Sequence, residues 1–235
     1  MAVKDNIKGF VPTSLVDWDG KVSAVIFLPG CNFRCSFCSN PDLVVNTDNI
    51  KTIPFQEVKK VLENNNEFID GVVITGGEPT IFSDFPDFCQ KIKEMGFKVK
   101  IDTNGTNPEM LKELLDKEVV DFAAMDVKTD FDKYKEVVNA EVDLEKIKNS
   151  IELIKQFPEY EFRITMFPKI SKEDLIKAAD YLKEKGAKTL IIQQFRNDTC
   201  LDKAAEDVKP YSEEQLKEMK AAVETGFEKC VLRNA

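Results

Sequence analysis

Three cysteines in one short segment are the residues of this sequence best suited to chemistry. Cys31, Cys35 and Cys38 are spaced C-x3-C-x2-C. A structural zinc site normally has four protein ligands. No fourth thiolate lies close by, and the 235-residue sequence contains no histidine. Three soft ligands in one loop instead suit an iron–sulfur cluster with one iron left open to another ligand. The spacing therefore predicts an iron–sulfur centre at these three cysteines.

The remaining cysteines and the missing histidine limit the other kinds of chemistry. Cys89, Cys200 and Cys230 are isolated in the sequence, and we expect each to be packed as a small apolar residue. Without histidine, Ser-His-Asp catalysis, Cys-His catalysis and histidine-ligated metal sites are excluded. Any reaction must therefore use thiolates, carboxylates, lysine, arginine or a bound cofactor.

The composition is that of a globular protein with one sizeable core. Hydrophobic residues make up 43% of the sequence, and ten glycines and ten prolines are too few for a disordered or fibrous chain. The formal net charge of -9 argues against broad attraction to nucleic acid or to an anionic membrane. The apolar run at residues 22–28 is too short to span a membrane and lacks the layout of a secretory signal. We therefore expect a cytoplasmic protein.

Alternating short and long apolar patterns predict an α/β fold. Such alternation is typical of repeated βα units around a parallel sheet. The predicted strands are residues 21–28, 71–75, 97–102, 122–127, 161–167 and 189–195, and the predicted helices are residues 54–64, 85–95, 108–117, 144–157, 172–185 and 212–228. Six units are fewer than the eight of a closed barrel, so we expect a partial (β/α)6 barrel with a lateral opening. We assign it to residues 1–199, with a lead-in at 1–20, and expect residues 200–235 to form a helical tail packed on it.

Polar motifs follow successive predicted strands. The cysteine segment follows the first strand, Gly76-Gly77-Glu78-Pro79 the second, Asp102-Thr103-Asn104-Gly105 the third and Asp126-Val127-Lys128 the fourth. Arg163 lies between apolar residues of the fifth strand, so its charge needs a partner. The carboxyl ends of the strands form the active face of parallel βα folds. The sequence therefore predicts that these residues converge on one site.

Each motif also has a structural explanation. Gly-Gly-Glu-Pro is a common turn, and Asn-Gly favours the left-handed backbone of a turn. Arg163 could pair with a structural carboxylate. Gln193 and Gln194 could contact a ligand or satisfy the end of the sixth strand, and the alternation of a strand predicts that only one of them faces inward. The positions of the motifs after consecutive strands favour the functional interpretation.

The cysteine segment resembles the cofactor-binding loop of the radical S-adenosylmethionine (radical SAM) enzymes, and Phe37 matches their aromatic residue before the third cysteine. Residues 9–18, 27–31 and 38–41 more narrowly resemble the glycyl-radical activating enzymes, and within them most closely the activating proteins of anaerobic ribonucleoside-triphosphate reductases. Two positions depart from that subfamily, which commonly has histidine at the position of Ser39 and proline at that of Asp19. Neither residue is a cluster ligand.

The resemblance implies two cofactors, one [4Fe-4S] cluster and S-adenosylmethionine (SAM). The three cysteines would bind three irons, and SAM would bind the fourth through its amino and carboxylate groups. The motifs would then hold SAM: Gly76, Gly77 and Glu78 its ammonium group, with Pro79 fixing the turn, Asp102 or Asn104 its ribose, and Lys128 or Arg163 its carboxylate, with Asp126 beside them.

The resemblance also implies a reaction. SAM would be cleaved reductively to a 5′-deoxyadenosyl radical, which takes a hydrogen atom from a glycine of a partner such as anaerobic ribonucleotide reductase. Flavodoxin or ferredoxin would supply the electron, and the source would be anaerobic. Two alternatives remain open: a radical SAM enzyme that acts on a small molecule, similar to 7-carboxy-7-deazaguanine synthase, and a non-catalytic iron–sulfur or zinc module. Only an enzyme would form 5′-deoxyadenosine.

Overall fold

A computed structural model describes residues 2–233, which form an eight-stranded sheet ordered β1 to β8 as in the sequence. The strands are β1 (Gly9–Ser14), β2 (Ser23–Leu28), β3 (Gly71–Gly76), β4 (Lys98–Thr103), β5 (Phe122–Asp126), β6 (Glu159–Met166), β7 (Thr189–Gln194) and β8 (Lys229–Arg233). Strands β2 to β8 are parallel neighbours, and β1 is antiparallel to β2. Because β1 and β8 lie at the two ends of this order, the sheet is not closed into a complete barrel.

Helices connect most of the parallel strands. They are α1 (Pro41–Val45), α2 (Phe55–Asn64), α3 (Phe85–Glu94), α4 (Pro108–Asp116), α5 (Tyr134–Val138), α6 (Leu144–Ile154), α7 (Lys172–Glu184), α8 (Lys203–Glu206) and α9 (Glu213–Val223). Side chains that cap the first backbone N–H groups mark the start of two of these helices. Ser171 forms a capping box with Asp174 at α7, and the Asp143 side chain accepts from the first backbone N–H groups of α6.

The two faces of the sheet have different surroundings. Alternate residues of a strand face opposite ways, so Val72 and Ile74 of β3 join the main core with the helices, whereas Val73 packs with Trp18 and Val25 in a small second cluster. The face opposite the helices is the inner face of the barrel. It carries charged side chains at the carboxyl ends of the strands, among them Asp102, Asp126 and Arg163. Within residues 2–233, no helix is long and apolar enough to cross a membrane.

The predicted α/β partial barrel with a parallel sheet is confirmed, and its six predicted strands correspond to β2 to β7. The prediction missed the edge strands. β1 contains Pro12 and three consecutive exposed residues, and β8 is five residues long without a buried position, so neither shows the alternation of a half-buried strand. The last helix ends at Val223 instead of residue 228, and the segment after residue 199 contains β8 as well as helices. Residues 234–235 of the predicted tail lie outside the described residues.

Candidate active site

A cavity of about 310 Å³ lies at the carboxyl ends of the parallel strands. Its wall contains all of the predicted site residues except Pro79: Cys31, Cys35, Phe37, Cys38, Gly76, Gly77, Glu78, Asp102, Asn104, Asp126, Lys128 and Arg163. Pro79 instead is the first residue of a short 3-10 helix and is buried beside the cavity wall. The isolated Cys89, Cys200 and Cys230 are not part of the wall, and Cys89 and Cys200 are buried.

The cysteine loop is held in place by the chain that follows β7. The backbone N–H of Leu201 donates to the carbonyl oxygen of Cys38 at 3.1 Å, and that of Asp202 donates to the carbonyl oxygen of Ser36 at 2.9 Å. These bonds hold the backbone of Ser36 and Cys38 in place and so limit the conformational freedom that the loop would lose on binding a cluster.

The donor atoms of the loop fit an iron–sulfur cluster. Cys31, Cys35 and Cys38 are all free thiols. Burial raises the pKa of Cys31 and raises that of Cys35 to about 11, so iron must displace the thiol protons when it binds. In the described part of the chain, no three cysteine, aspartate or glutamate side chains converge closely enough to hold a single metal ion. A cluster needs no such convergence, because each thiolate binds a different iron.

The glycine pair lets the end of β3 approach the cysteine loop. A Cβ atom on Gly77 would lie 1.8 Å from the carbonyl oxygen of Gly30, and one on Gly76 would lie 2.4 Å from that of Leu28. Gly76 also has a φ of +118°, which side chains rarely tolerate. The N–H of Glu78 donates to the carbonyl oxygen of Gly30 at 2.7 Å. Only glycine fits both positions of this turn.

The carboxylate of Glu78 bonds to the protein around it. Its Oε1 accepts from the N–H and the hydroxyl of Thr80 at 3.1 and 2.5 Å and from the hydroxyl of Thr103 at 2.7 Å. Its Oε2 accepts from the N–H of Asn104 at 2.6 Å. Burial raises the pKa of Glu78, and these donors oppose the rise. Glu78 therefore holds the ends of β3 and β4 together. A ligand ammonium could bind this carboxylate only by sharing Oε2 with the N–H of Asn104.

Four charged side chains form the opposite wall of the cavity. Arg163 Nε donates to Asp126 Oδ1 at 2.8 Å, and its NH1 lies 3.1 Å from Asp102 Oδ1. Lys128 Nζ lies 3.1 Å from Asp126 Oδ2. Burial alone would raise the pKa of Asp126, but Arg163 and Lys128 hold it well below its usual range. Arg163 is thus occupied by two carboxylates, whereas Lys128 has one carboxylate partner.

The side chains of Asp102 and Asn104 differ in whether they can still accept a hydrogen bond from a ligand. The side-chain oxygen of Asn104 accepts from the N–H and the hydroxyl of Thr106 at 3.0 and 2.7 Å, and its amide donates to Asn32 at 2.8 Å. The Oδ1 atom of Asp102 is buried and lies 3.1 Å from Arg163 NH1, but the side chain as a whole is 17% exposed and lines the cavity. Asn104 therefore completes a turn, and Asp102 is the acceptor available to a hydroxyl group.

Sequence reasoning missed part of the cavity wall, including Asp17, Thr165 and Phe195. Thr165 follows Arg163 by two residues and hence faces the same way, which was a usable signal. Gln193 and Gln194 both border the cavity at the end of β7. Gln193 pairs with Thr165 and Gln194 with Met166 of the main core, so the strand alternation places their side chains on opposite faces, as predicted. The amide of Gln194 donates to the carbonyl oxygen of Tyr211 at 2.6 Å.

Comparison with known proteins assigns a family to this arrangement. Residues 25–182, more than half of the chain, match the Radical SAM superfamily. Among solved structures, SuiB of Streptococcus suis bound to its precursor peptide SuiA has a TM-score of 0.69 at 18% identity. The match covers 88% of this chain and 48% of SuiB, so the chain spans about half the length of that structure. This likeness supports the partial-barrel fold.

Two curated relatives narrow the family. A protein of Methanocaldococcus jannaschii, named as a glycyl-radical enzyme activating enzyme, is 35% identical over 98% of this chain and 97% of its own length. A pyruvate formate-lyase-activating enzyme of Clostridium pasteurianum is 33% identical over 57% of each chain. The chain therefore belongs to the radical SAM superfamily and, within it, to the family of the glycyl-radical enzyme activating enzymes.

Proposed function

We propose that this enzyme binds a [4Fe-4S] cluster and SAM and uses them to form a glycyl radical on a partner enzyme. One observation carries the proposal: three free thiols share a single cavity with the polar ends of β3 to β6. Membership in the family of activating enzymes supports the same assignment. No general base is required, in agreement with the absence of histidine from the sequence.

Cys31, Cys35 and Cys38 would hold the cluster. When bound, the cluster would supply the electron that cleaves SAM to methionine and a 5′-deoxyadenosyl radical. The protein orients the ligand and keeps water away. Phe37 stacks on Phe167 with ring centroids 4.9 Å apart, and this pair forms part of an apolar layer behind the loop.

The charged wall would recognise the two ends of SAM. Lys128 is the cation best placed for the SAM carboxylate, because Arg163 already contacts both Asp102 and Asp126. Arg163 instead orients those carboxylates. Asp102 would accept from a ribose hydroxyl, and the backbone around Gly76 and Gly77 would approach the ammonium group.

A glycine of a partner protein would enter through the open side of the barrel, between β1 and β8. As the partner we propose a glycyl-radical enzyme such as anaerobic ribonucleotide reductase, and as the electron donor flavodoxin or ferredoxin. Three free thiols that bind an oxygen-labile cofactor also favour the reducing cytoplasm of an anaerobic cell.

The experiment is anaerobic incubation of the reconstituted enzyme with SAM, dithionite and the glycyl-radical subunit of an anaerobic ribonucleotide reductase. The subunit is labelled with [2,2-²H2]glycine. We expect a glycyl-radical signal in electron paramagnetic resonance spectra and transfer of deuterium into 5′-deoxyadenosine. Formation of 5′-deoxyadenosine with neither radical nor deuterium transfer would refute this partner and favour a small-molecule substrate.

A further inference from the structure

The β1–β2 loop (residues 15–22) crosses the open side of the barrel. Strands β1 and β8 lie at opposite ends of the strand order. Asp19 of this loop nevertheless lies 3.4 Å from the Lys229 ammonium and 3.3 Å from the Arg233 guanidinium of β8. Asp17, two residues earlier, lines the cavity. The loop therefore reaches from one edge of the sheet to the other and forms part of the wall of the site.

Lys100 joins this loop to the site. It lies in β4 and is only 3% exposed. Its Nζ donates to the carbonyl oxygen of Asp17 at 2.5 Å and lies 3.7 Å from Asp102 Oδ1. The same ammonium lies 5.2 Å from the ring centroid of Phe122. A buried ammonium is costly unless it is paired, so these contacts fix its position. One side chain therefore touches both the loop and the carboxylate available to SAM.

A second line of contacts connects the loop to the same carboxylate. Arg233 pairs with both oxygens of Glu161, at 2.8 and 3.0 Å, while it also contacts Asp19. Glu161 Oε1 lies 4.0 Å from Arg163 NH1, which is 3.1 Å from Asp102 Oδ1. The inner face of the sheet thus links both acidic residues of the loop, Asp17 and Asp19, to Asp102.

We propose that Lys100 is a positioning residue that couples the β1–β2 loop to Asp102, so that SAM binding and the contacts of this loop with β4 and β8 stabilise each other. The proposal rests on the proposed function for the identity of the ligand. Such coupling is reciprocal. A polypeptide that displaces the loop from the open side would also change how Asp102 holds SAM.

The test is hydrogen–deuterium exchange of residues 14–22 in the reconstituted enzyme, with and without SAM. Lys100→Met keeps the apolar stem and removes the ammonium. Lys98→Met is the matched control, because Lys98 lies on the same strand and the same face but is exposed. In Lys100→Met without SAM, we expect loop exchange about 10-fold faster than in the wild type. SAM should slow this exchange in the wild type and in Lys98→Met but not in Lys100→Met. The KM for SAM should rise about 10-fold, with kcat within about threefold.

Two outcomes would overturn the coupling: equal exchange in wild type and Lys100→Met without SAM, or full SAM-induced protection in Lys100→Met. If Lys100→Met does not fold, Lys100→Gln removes the same ammonium from the contacts with Asp17 and Asp102 but keeps a polar side chain at this buried position. Full SAM-induced protection in that variant would also contradict the coupling. A wild-type enzyme that binds no SAM would refute the proposed function and the coupling to SAM. The comparison of wild type with Lys100→Met in the absence of SAM would still show whether Lys100 holds the loop in place.

Discussion

The Oε2 atom of Glu78 accepts a hydrogen bond from the N–H of Asn104 at 2.6 Å and so ties the turn after β3 to the turn after β4. Glu78 is fully buried, so water does not compete for this bond. The first turn contains Gly77, which contacts the cysteine loop, and the second follows the end of β4, where Asp102 faces the cavity. The position of one half of the site relative to the other thus depends on this carboxylate.

Glu78→Gln is expected to lower the free energy of unfolding by about 2 kcal/mol, because an amide NH2 would face a donor and charge-assisted bonds would become neutral. Urea unfolding followed by circular dichroism measures the change. Glu57→Gln, an exposed position in α2, is the control and should be nearly neutral. Equal stability of the two variants would contradict the bracing role.

Gly77→Ala is expected to displace the cysteine loop, because its Cβ would lie 1.8 Å from the carbonyl oxygen of Gly30. We expect a loss of stability above about 3 kcal/mol and failure to retain iron after reconstitution. Gly20→Ala is the control. Gly20 has a φ of +75°, which is strained for alanine, but no atom lies within 4 Å of the added Cβ, so this variant has no steric clash. It should cost about 1 kcal/mol and leave the iron content unchanged. Similar iron contents in both variants would count against the close-approach argument.

Lys128→Met and Arg163→Met should have different effects. Lys128→Met should raise the KM for SAM about 10- to 100-fold, because a charge-assisted bond to the SAM carboxylate is lost. Arg163→Met should chiefly destabilise the fold, by about 3 kcal/mol, because Asp102 and Asp126 lose their shared partner. Steady-state kinetics and urea unfolding of both variants test the assignment. If Arg163→Met instead raises the KM for SAM and Lys128→Met chiefly destabilises the fold, then Arg163 and not Lys128 binds the SAM carboxylate.

Asp126 should make the cluster-free chain sensitive to acid. Burial opposes its charge, but Arg163 and Lys128 hold the folded-state pKa of Asp126 well below the ordinary value. A depressed folded-state pKa gives stability that is present above about pH 4 and is lost as the pH falls below it. Asp126→Asn should therefore be about 1–3 kcal/mol less stable than wild type at neutral pH, with a smaller difference in acid. Unfolding curves over this pH range measure the difference, and a constant difference would contradict the pairing.

The fold was predictable because the β2 to β7 strands are short apolar runs separated by amphipathic helices. The edge strands were not, since Pro12 interrupts the pattern of β1 and β8 directly follows a short connection from α9. Edge strands bury less than central strands, so their residues show less of the apolar alternation that reveals a strand.

The residues of the site were predictable where unusual types occur at strand ends, as with Cys31, Glu78 and Asp126. Lys100 was missed although Lys98, Lys100 and Asp102 alternate along β4, which places all three on one face. A lysine is usually solvent-exposed, and nothing local indicates that the loop carrying Asp17 folds over it. Such contacts depend on tertiary structure and are absent from the local pattern.

The most direct test of the central claim is the formation of 5′-deoxyadenosine by the anaerobically reconstituted enzyme with dithionite and SAM, assayed by chromatography. Wild type and Cys230→Ala, whose cysteine lies in β8 away from the cavity wall, should both form the product. Cys35→Ala should form none. A wild-type enzyme with a fully loaded cluster that forms no 5′-deoxyadenosine would contradict the account and leave a binding or electron-transfer protein.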